Sequence, residues 1–128
     1  MTLAALLEEL KEVDVKAYTE LKHVLGKLDR AQEDDMYEID VSETVDVEPR
    51  ATDMLQGCIQ RACERRDWHW LVCKDCYREG EYRAEISIVA ESCISDILEV
   101  DEIAMEWGDT AAEALLAAYI AAVKKEKR

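Results

Sequence analysis

The C-terminal segment 108–126 is the feature of this sequence that most constrains its fold. Thr110 is followed three residues later by Glu113, which is the capping-box pattern of a helix N-terminus. Apolar side chains then recur at three- and four-residue steps until the basic run that closes the chain. The segment therefore predicts an amphipathic helix that has to bury one face against the rest of the protein.

The N-terminal segment 1–30 has the same helical periodicity. Leucine, valine and alanine recur at three- and four-residue steps, with Lys and Glu between them. The pattern predicts one long amphipathic helix of about 28 residues, with Thr2 as the cap residue at its start. Its apolar face either packs across the core of the domain or pairs with a second copy of the chain in a homodimer.

The segment between these helices contains a further helix and several strands. Residues 52–66 predict a helix capped by Thr52, the Trp-rich run 68–76 predicts a strand, and 81–90 predicts its hairpin partner. The run 91–106 fits either two short strands or a helical turn and a strand. Alternation in the second strand assigns four residues to its inward face: Tyr82, Ala84, Ile86 and Ile88.

These elements place the fold in the α+β class. We expect a two-layer or α/β/α sandwich, in which a small, mainly antiparallel sheet of three to four strands is flanked by helices. With 128 residues, 49% of them hydrophobic, the chain is long enough for one compact domain and too short for two. Residues 1–128 are therefore expected to form a single domain with a helix–sheet–helix core at 51–125.

The segment 33–49 is strongly acidic, with eight carboxylates and no basic side chain. Apolar residues alternate with acids in it, which is the period of a half-buried strand. Acids on one face of a strand recur every ~6.6 Å, a spacing comparable to that of successive phosphates along one strand of DNA. The segment is either a charged edge strand or a solvated linker. Its charge either imitates nucleic acid or simply prevents sheet-to-sheet aggregation.

The remaining charge is also unevenly distributed. The net charge is −14, and residues 84–123 hold nine acids without a single base. A field of this sign repels nucleic acids and anionic membranes and attracts basic partners. Direct binding of nucleic acid or of a membrane is therefore disfavoured. A protein or ribonucleoprotein partner with a basic surface is favoured.

Localisation is predicted from the N-terminus and the cysteines. No apolar run approaches the ~20 residues that cross a bilayer, and acids stand where a secretory signal has bases. Five cysteines are an odd number in a chain without an export signal, so reduced thiols are expected rather than a disulfide framework. We therefore expect a cytoplasmic protein, in the cytosol of a bacterial host.

The motifs of catalysis and metal binding give little support for an enzyme. The "CKDC" run at 73–76 lacks the Gly or Pro that folds a zinc knuckle, and Cys58 and Cys63 point in different directions on their helix. His23 fits a solvated helix position and His69 a packed strand position. We therefore expect no catalysis, no cofactor and no metal site. A zinc-binding or small-molecule-binding module is the alternative.

The order of elements resembles a family of phage proteins. The helix "ATDMLQGCIQRA", the strands "WHWLV" and "YRAEISIVA" and the helix "GDTAAEALLAAYIAAVKK" follow one another as in the small phage ABA sandwich proteins, over residues 51–125. The resemblance implies a phage or prophage gene product with a sandwich fold and no assigned chemistry. The first helix, the acidic segment and the insertion at about 91–106 depart from the family pattern.

Charge and resemblance together predict an interaction protein. We expect a small acidic phage-encoded inhibitor, anti-CRISPR-like, that docks on a basic site of a host nucleic-acid-binding defence complex and competes with DNA or RNA. A dimeric structural or regulatory phage protein is a further alternative. The residues expected to contact the partner are Asp34, Asp35, Glu38, Asp40, Asp46 and Glu48, together with Glu99, Asp101 and Glu102.

Overall fold

The computed structural model contains four helices and three strands among the residues that it describes, which are 2–28, 41, 49–74, 81–91 and 98–126. In chain order the elements are α1 (Leu3–Val13), α2 (Val15–Leu28), α3 (Pro49–Arg65), β1 (His69–Lys74), β2 (Tyr82–Glu91), β3 (Leu98–Gly108) and α4 (Ala111–Glu126). The predicted α+β fold is confirmed.

The strands form one antiparallel sheet in the order β1-β2-β3. Helix α4 packs against β3 and β2, and the other helices pack around α4 and α3. The sheet face towards α4 carries Ala84 and Ile86, which are fully buried, as their inward assignment predicted. On the opposite face Leu71 of β1 is 52% exposed. The core therefore lies between one face of the sheet and the helices.

The prediction of one continuous N-terminal helix is wrong, because the helix breaks at Asp14. The backbone of Asp14 leaves the helical region, at φ −148° and ψ 82°, while its N–H still donates to Leu10 O at 2.8 Å. Its side-chain Oδ1 accepts a hydrogen bond from Ala17 N at 3.1 Å, which caps the start of α2. Asp competes with the helix for local backbone hydrogen bonds, so it favours such a boundary. At the start of α1, Thr2 caps the helix as predicted.

The apolar faces of α1 and α2 are used within the chain. Leu7, Leu10, Leu21 and Leu25 are almost completely buried in the common core. This is the first of the two uses predicted for the N-terminal segment. A homodimer through residues 3–28 would have to use the outer faces of these helices.

Helix α3 begins at Pro49, three residues before the predicted cap at Thr52. Proline is tolerated in the first turn of a helix, where its missing N–H leaves no hydrogen bond unmade. At the other end, Trp68 N donates to Cys63 O and Asp67 N to Glu64 O, with Asp67 at φ 57°. This is the pattern of a Schellman motif, which ends the helix and turns the chain into β1.

The stretch left open by sequence, 91–106, ends in one long strand rather than two short ones. Strand β3 pairs with β2 throughout, with a register shift at Ile86/Ser87 that leaves Ile103 as the extra residue. Lys125 Nζ donates to the carbonyl of Ile103 at 3.3 Å. Ile88, predicted to be inward, is 45% exposed, because β2 extends to the last turn of α4, where the helical cover ends.

The end of β3 approaches the first turn of α4 so closely that only glycine fits. A Cβ on Gly108 would lie 2.6 Å from Ala114 N and 3.0 Å from Glu113 C, both of which are backbone atoms. Gly108→Ala should therefore lower the free energy of unfolding by about 1–3 kcal/mol, as measured by urea denaturation.

The control for this substitution is Gly57→Ala in α3, where the nearest contact is the flexible Arg61 side chain at 3.4 Å. Alanine is the better helix former, so this variant should gain up to about 1 kcal/mol. Equal stabilities of the two variants would contradict the close approach of β3 and α4.

Candidate partner-binding surface

Most of the acids predicted to contact a partner lie outside the described residues. This group comprises Asp34, Asp35, Glu38, Asp40, Asp46 and Glu48. The other three belong to the edge strand β3, where Asp101 pairs in register with Ile88 and Glu99 with Ala90. Of these three, the structure describes the side chain of Glu102, which is exposed.

Glu102 lies on the rim of a shallow groove at the C-terminal end of α4, which we call the end groove. Its apolar walls include Trp68, Ile88 and Ile103, and the charged residues Lys125 and Glu126 line it together with Glu102. The groove has a volume of about 310 Å³ and is open to solvent. Its charged lining is two acids and one base, and Glu126 also pairs with Arg66, so the end groove is close to electrically balanced.

A second groove lies between α1, the edge of β3 and α4, and we call it the α1 groove. It has a volume of about 310 Å³. Its apolar part includes Leu6 and Ile120, both of which are buried. Its acids are Glu9, Glu106 and Glu113, and its base is Lys124.

The acids of the α1 groove were not among the predicted partner-binding residues. Glu106 pairs with the fully buried Ala84, so it lies on the sheet face that carries the core. The sequence signal that could have identified Glu106 is its position: it is a carboxylate at an inward-facing place in an alternating strand. The sequence assigned Glu113 only to the capping box. In the structure Glu113 N donates a hydrogen bond to Thr110 Oγ1 at 3.1 Å, as that motif requires.

The carboxyl of Glu113 has a raised pKa. Burial is the largest cause, and the nearby negative charge of Asp109 adds to it. The carboxylate of Glu9 accepts a hydrogen bond from Lys124 Nζ at 2.6 Å. The negative charge of the groove is therefore balanced by a lysine side chain at its Lys124 end, whereas at its Glu113 end the N-terminal amino group and a backbone hydrogen bond with Asp109 oppose the rise in pKa only in part.

A buried polar cluster joins three of the helices on the other side of α4. The hydroxyl of Tyr119 donates to Asp14 Oδ2 and accepts from Arg66 Nε at 3.2 Å. Arg66 also approaches Asp14 Oδ2 at 3.6 Å and pairs with Glu126. Its guanidinium lies 5.0 Å from the centre of the Trp68 ring, which meets the Tyr119 ring edge to face.

The pKa values in this cluster follow from its contacts. Burial alone raises the pKa of Asp14, but the hydrogen bonds from Tyr119 and Ala17 and the charge of Arg66 outweigh it, so the pKa is lowered. Burial and the hydrogen bond to Asp14 raise the pKa of Tyr119. The stable state is thus a carboxylate, a neutral phenol and a guanidinium. Tyr119 is fully buried and the Asp14 side chain is 13% exposed, so this pair holds helices together in the interior, while the Arg66 side chain reaches the surface.

The described cysteines are free thiols placed in the core or in the sheet. Cys58 and Cys63 are buried, and Cys73 is half-buried. Burial raises the pKa of Cys58, and it raises that of Cys63 to about 12. Across the described ranges, no three His, Cys, Asp or Glu side chains come together to hold a metal ion.

The aromatic and histidine candidates have separate environments. Trp68 is buried in the cluster with Arg66, whereas Trp70 on the edge strand β1 is partly exposed. His69 and His23 are both exposed, so the packed position predicted for His69 is wrong. Strand β1 has no described neighbour over its outward face, which is why His69 and Leu71 remain accessible.

Comparisons with known proteins found no match: no family model, no curated protein and no solved structure is similar to this chain. The resemblance to the phage ABA sandwich family therefore stays a prediction. Within the described part of the chain, no helix is long and apolar enough to cross a membrane.

The charge on Asp14 should make stability depend on pH. The folded-state pKa of Asp14 lies below its unfolded value of about 3.9, so its contribution is complete above that pH and disappears as the pH falls through the folded-state pKa. Asp14→Asn keeps a capping acceptor but removes the charge. It should cost about 1–3 kcal/mol at pH 7 in urea denaturation, and the difference from wild type should shrink below pH ~4.

Glu12→Gln, which removes an exposed acid from the same helix, is the matched control and should change stability little at any of these pH values. A pH-independent difference between wild type and Asp14→Asn would mean that the charge of Asp14 contributes nothing.

The buried thiols should be unreactive in the folded protein. At pH 8, iodoacetamide should label Cys63 at least about 100-fold more slowly than in urea, because burial suppresses its thiolate. Cys58 should be protected in the same way. Peptide mass spectrometry reads each cysteine separately, with half-buried Cys73 as the internal comparison. Labelling of Cys63 at its unfolded rate would show that the core opens readily.

Proposed function

We propose that this protein is a small acidic interaction protein, without catalytic activity, that binds a basic surface of another protein or ribonucleoprotein. The observation that carries the proposal is the run 84–123, which holds nine acids and no base. In the fold this run forms β2, the edge strand β3 and most of α4. Exposed or groove-lining carboxylates of this run are Glu102, Glu106, Asp109 and Glu113.

The charge distribution supports binding rather than stability. Basic residues elsewhere are engaged with acids of the N-terminal helices, as when Arg61 and Arg65 of α3 both contact Glu20 of α2. Within 84–123, Glu85 contacts Arg83 just outside the run. The run itself holds no base, so its acids repel one another at a cost in stability. A binding role for the surface explains why that cost is tolerated, because a group of negative charges attracts a basic partner and repels nucleic acid.

A more specific form of the proposal concerns the target. A surface that repels nucleic acid and is rich in carboxylates suits the basic channel of a nucleic-acid-binding complex. We propose a host defence complex of the CRISPR type as this target, and a phage gene as the source of the chain. The acidic segment 33–49 would provide the larger part of the contact, and Glu99, Asp101 and Glu102 would extend it. Binding in the bacterial cytosol is compatible with the free thiols Cys58, Cys63 and Cys73.

The other predicted alternatives receive less support. A zinc site built on the described cysteines would need thiolates, whereas burial raises the pKa of Cys58 and Cys63. Homodimerisation through residues 3–28 would need an apolar face, and most described apolar residues of α1 and α2 are buried in, or packed against, the core of the same chain, with Val15 as an exposed exception.

The proposal is tested by affinity capture from a bacterial lysate at low and high salt, followed by mass spectrometry. The bait variant neutralises four acids of the segment 33–49, namely Asp34, Asp35, Glu38 and Asp40, by substitution with Asn or Gln. The charge-matched control neutralises four exposed acids elsewhere, namely Glu8, Glu12, Asp53 and Glu64.

We expect wild type and the control to capture the same nucleic-acid-binding complex at low salt, and high salt to release it. The variant in 33–49 should lose that complex while remaining folded. Added DNA or RNA should compete with wild type for the complex. Capture of no such complex would contradict the proposal, and equal capture by all three baits would contradict the contact assigned to 33–49.

A further inference from the structure

The α1 groove offers a defined site within the acidic surface. Its acids do not share one environment, because Lys124 neutralises Glu9 at one end. Among the described residues, no Lys, Arg or His side chain pairs with Glu106 or Glu113 at the other end, although the charge of the chain's N-terminal amino group lowers the pKa of Glu113 and so offsets part of its rise. From Glu113 to Lys124 the groove follows one face of α4 for about 16 Å, at 1.5 Å per residue.

The two carboxylates at the open end lie close together. Gly108 touches the backbone of Glu113, with 3.0 Å between its Cβ position and Glu113 C. Glu106 is two residues before Gly108 on the same face of β3, which is a separation of about 7 Å. Glutamate side chains from these two positions therefore reach a common point in the groove.

The floor beyond this point is apolar. Ala117 follows Glu113 by one helical turn, and Leu6 of α1 and Ile120 of α4 extend the surface. A ligand at this end thus meets two carboxylates and then a hydrocarbon surface. A long side chain with a cationic head and an aliphatic stem matches both parts.

We infer that the α1 groove binds an arginine side chain of the basic partner, with the guanidinium between Glu106 and Glu113 and the aliphatic stem over Ala117. This site rests on the proposed function, since it requires a basic protein partner. A guanidinium is planar, carries five N–H donors and is more weakly hydrated than an ammonium, so it can serve two carboxylates next to an apolar floor.

Other occupants fit the groove less well. A metal ion would need at least three ligands close together, and none of the described His, Cys, Asp and Glu side chains form such a group. Nucleic acid is excluded by charge. The acidic segment 33–49 of the chain itself is excluded for the same reason.

A structural role for Glu106 has to be distinguished from this site. An inward-pointing charge on an edge strand also discourages pairing with another sheet. That role requires a charge on β3 but no ligand. It makes no prediction about arginine, whereas the binding site does.

The test is a titration of the full chain with the peptide acetyl-Gly-Arg-Gly-amide, followed by two-dimensional NMR of the backbone amides. The same peptide with lysine, and with the neutral isostere citrulline, provide the comparisons. We expect saturable shifts at Glu106, Trp107 and Glu113 with arginine. Binding should be at least about tenfold weaker with citrulline, because the charge-assisted hydrogen bonds are lost.

The matched variants are Glu106→Gln with Glu113→Gln, and Glu8→Gln with Glu12→Gln on the exposed side of α1. Gln is accepted at Glu113 in the capping box, so the first pair should fold. It should weaken arginine binding by about tenfold or more, and the second pair should not. If the Glu106→Gln/Glu113→Gln variant does not fold, the titration of wild type with the arginine and citrulline peptides still decides whether arginine binds in the groove.

Several outcomes would overturn the inference. These are shifts absent from the groove, equal binding of the citrulline peptide, or binding of the lysine peptide as tight as that of arginine. The proposed function is decided separately by the capture experiment. If wild type and Glu106→Gln/Glu113→Gln capture the basic complex equally, the groove site fails while the proposed function stands.

Discussion

The rest of the fold depends on the carboxylate of Asp14. Its backbone ends α1, one of its oxygens caps α2, and the other accepts the hydroxyl of buried Tyr119 and faces Arg66. One side chain therefore ties the two N-terminal helices to α4 and to the end of α3. Because the carboxylate is mostly buried, its hydrogen bonds are stronger than they would be in water, and breaking them would leave a charge uncompensated.

Helix α4, which carries Tyr119, also contacts the sheet and lines both grooves. One of its faces packs on β3 and β2, and others meet α1 and α3. The contact at Gly108 fixes where β3 ends relative to the first turn of α4. Glu106 and Glu113 thus lie on rigid elements, and their relative position is set by backbone packing rather than by a loop. A pre-positioned pair of carboxylates loses little conformational freedom when a cation binds between them.

Charge and packing have separate roles in this protein. The ion pairs that connect elements, such as Lys124 with Glu9 and Arg65 with Glu20, lie around the helices. Exposed pairs of this kind contribute only ~0–1 kcal/mol each, so the apolar core supplies most of the stability. Among the described acids of 84–123, Glu85 contacts Arg83 and Glu113 lies in the cap of α4, whereas Glu102 and Asp109 are exposed.

The sequence by itself determined the α+β class, the last helix, the hairpin of β1 and β2 and the acidic character, because periodicity, capping residues and charge are local properties. It did not determine the break at Asp14 or the exposure of Ile88, since a periodic pattern continues through both. Only the tertiary structure decided these, and only it brought Glu9, Glu106 and Glu113 to one groove. The physical reason is that these outcomes depend on contacts between residues distant in sequence, such as that of Asp14 with Tyr119, which no local pattern encodes.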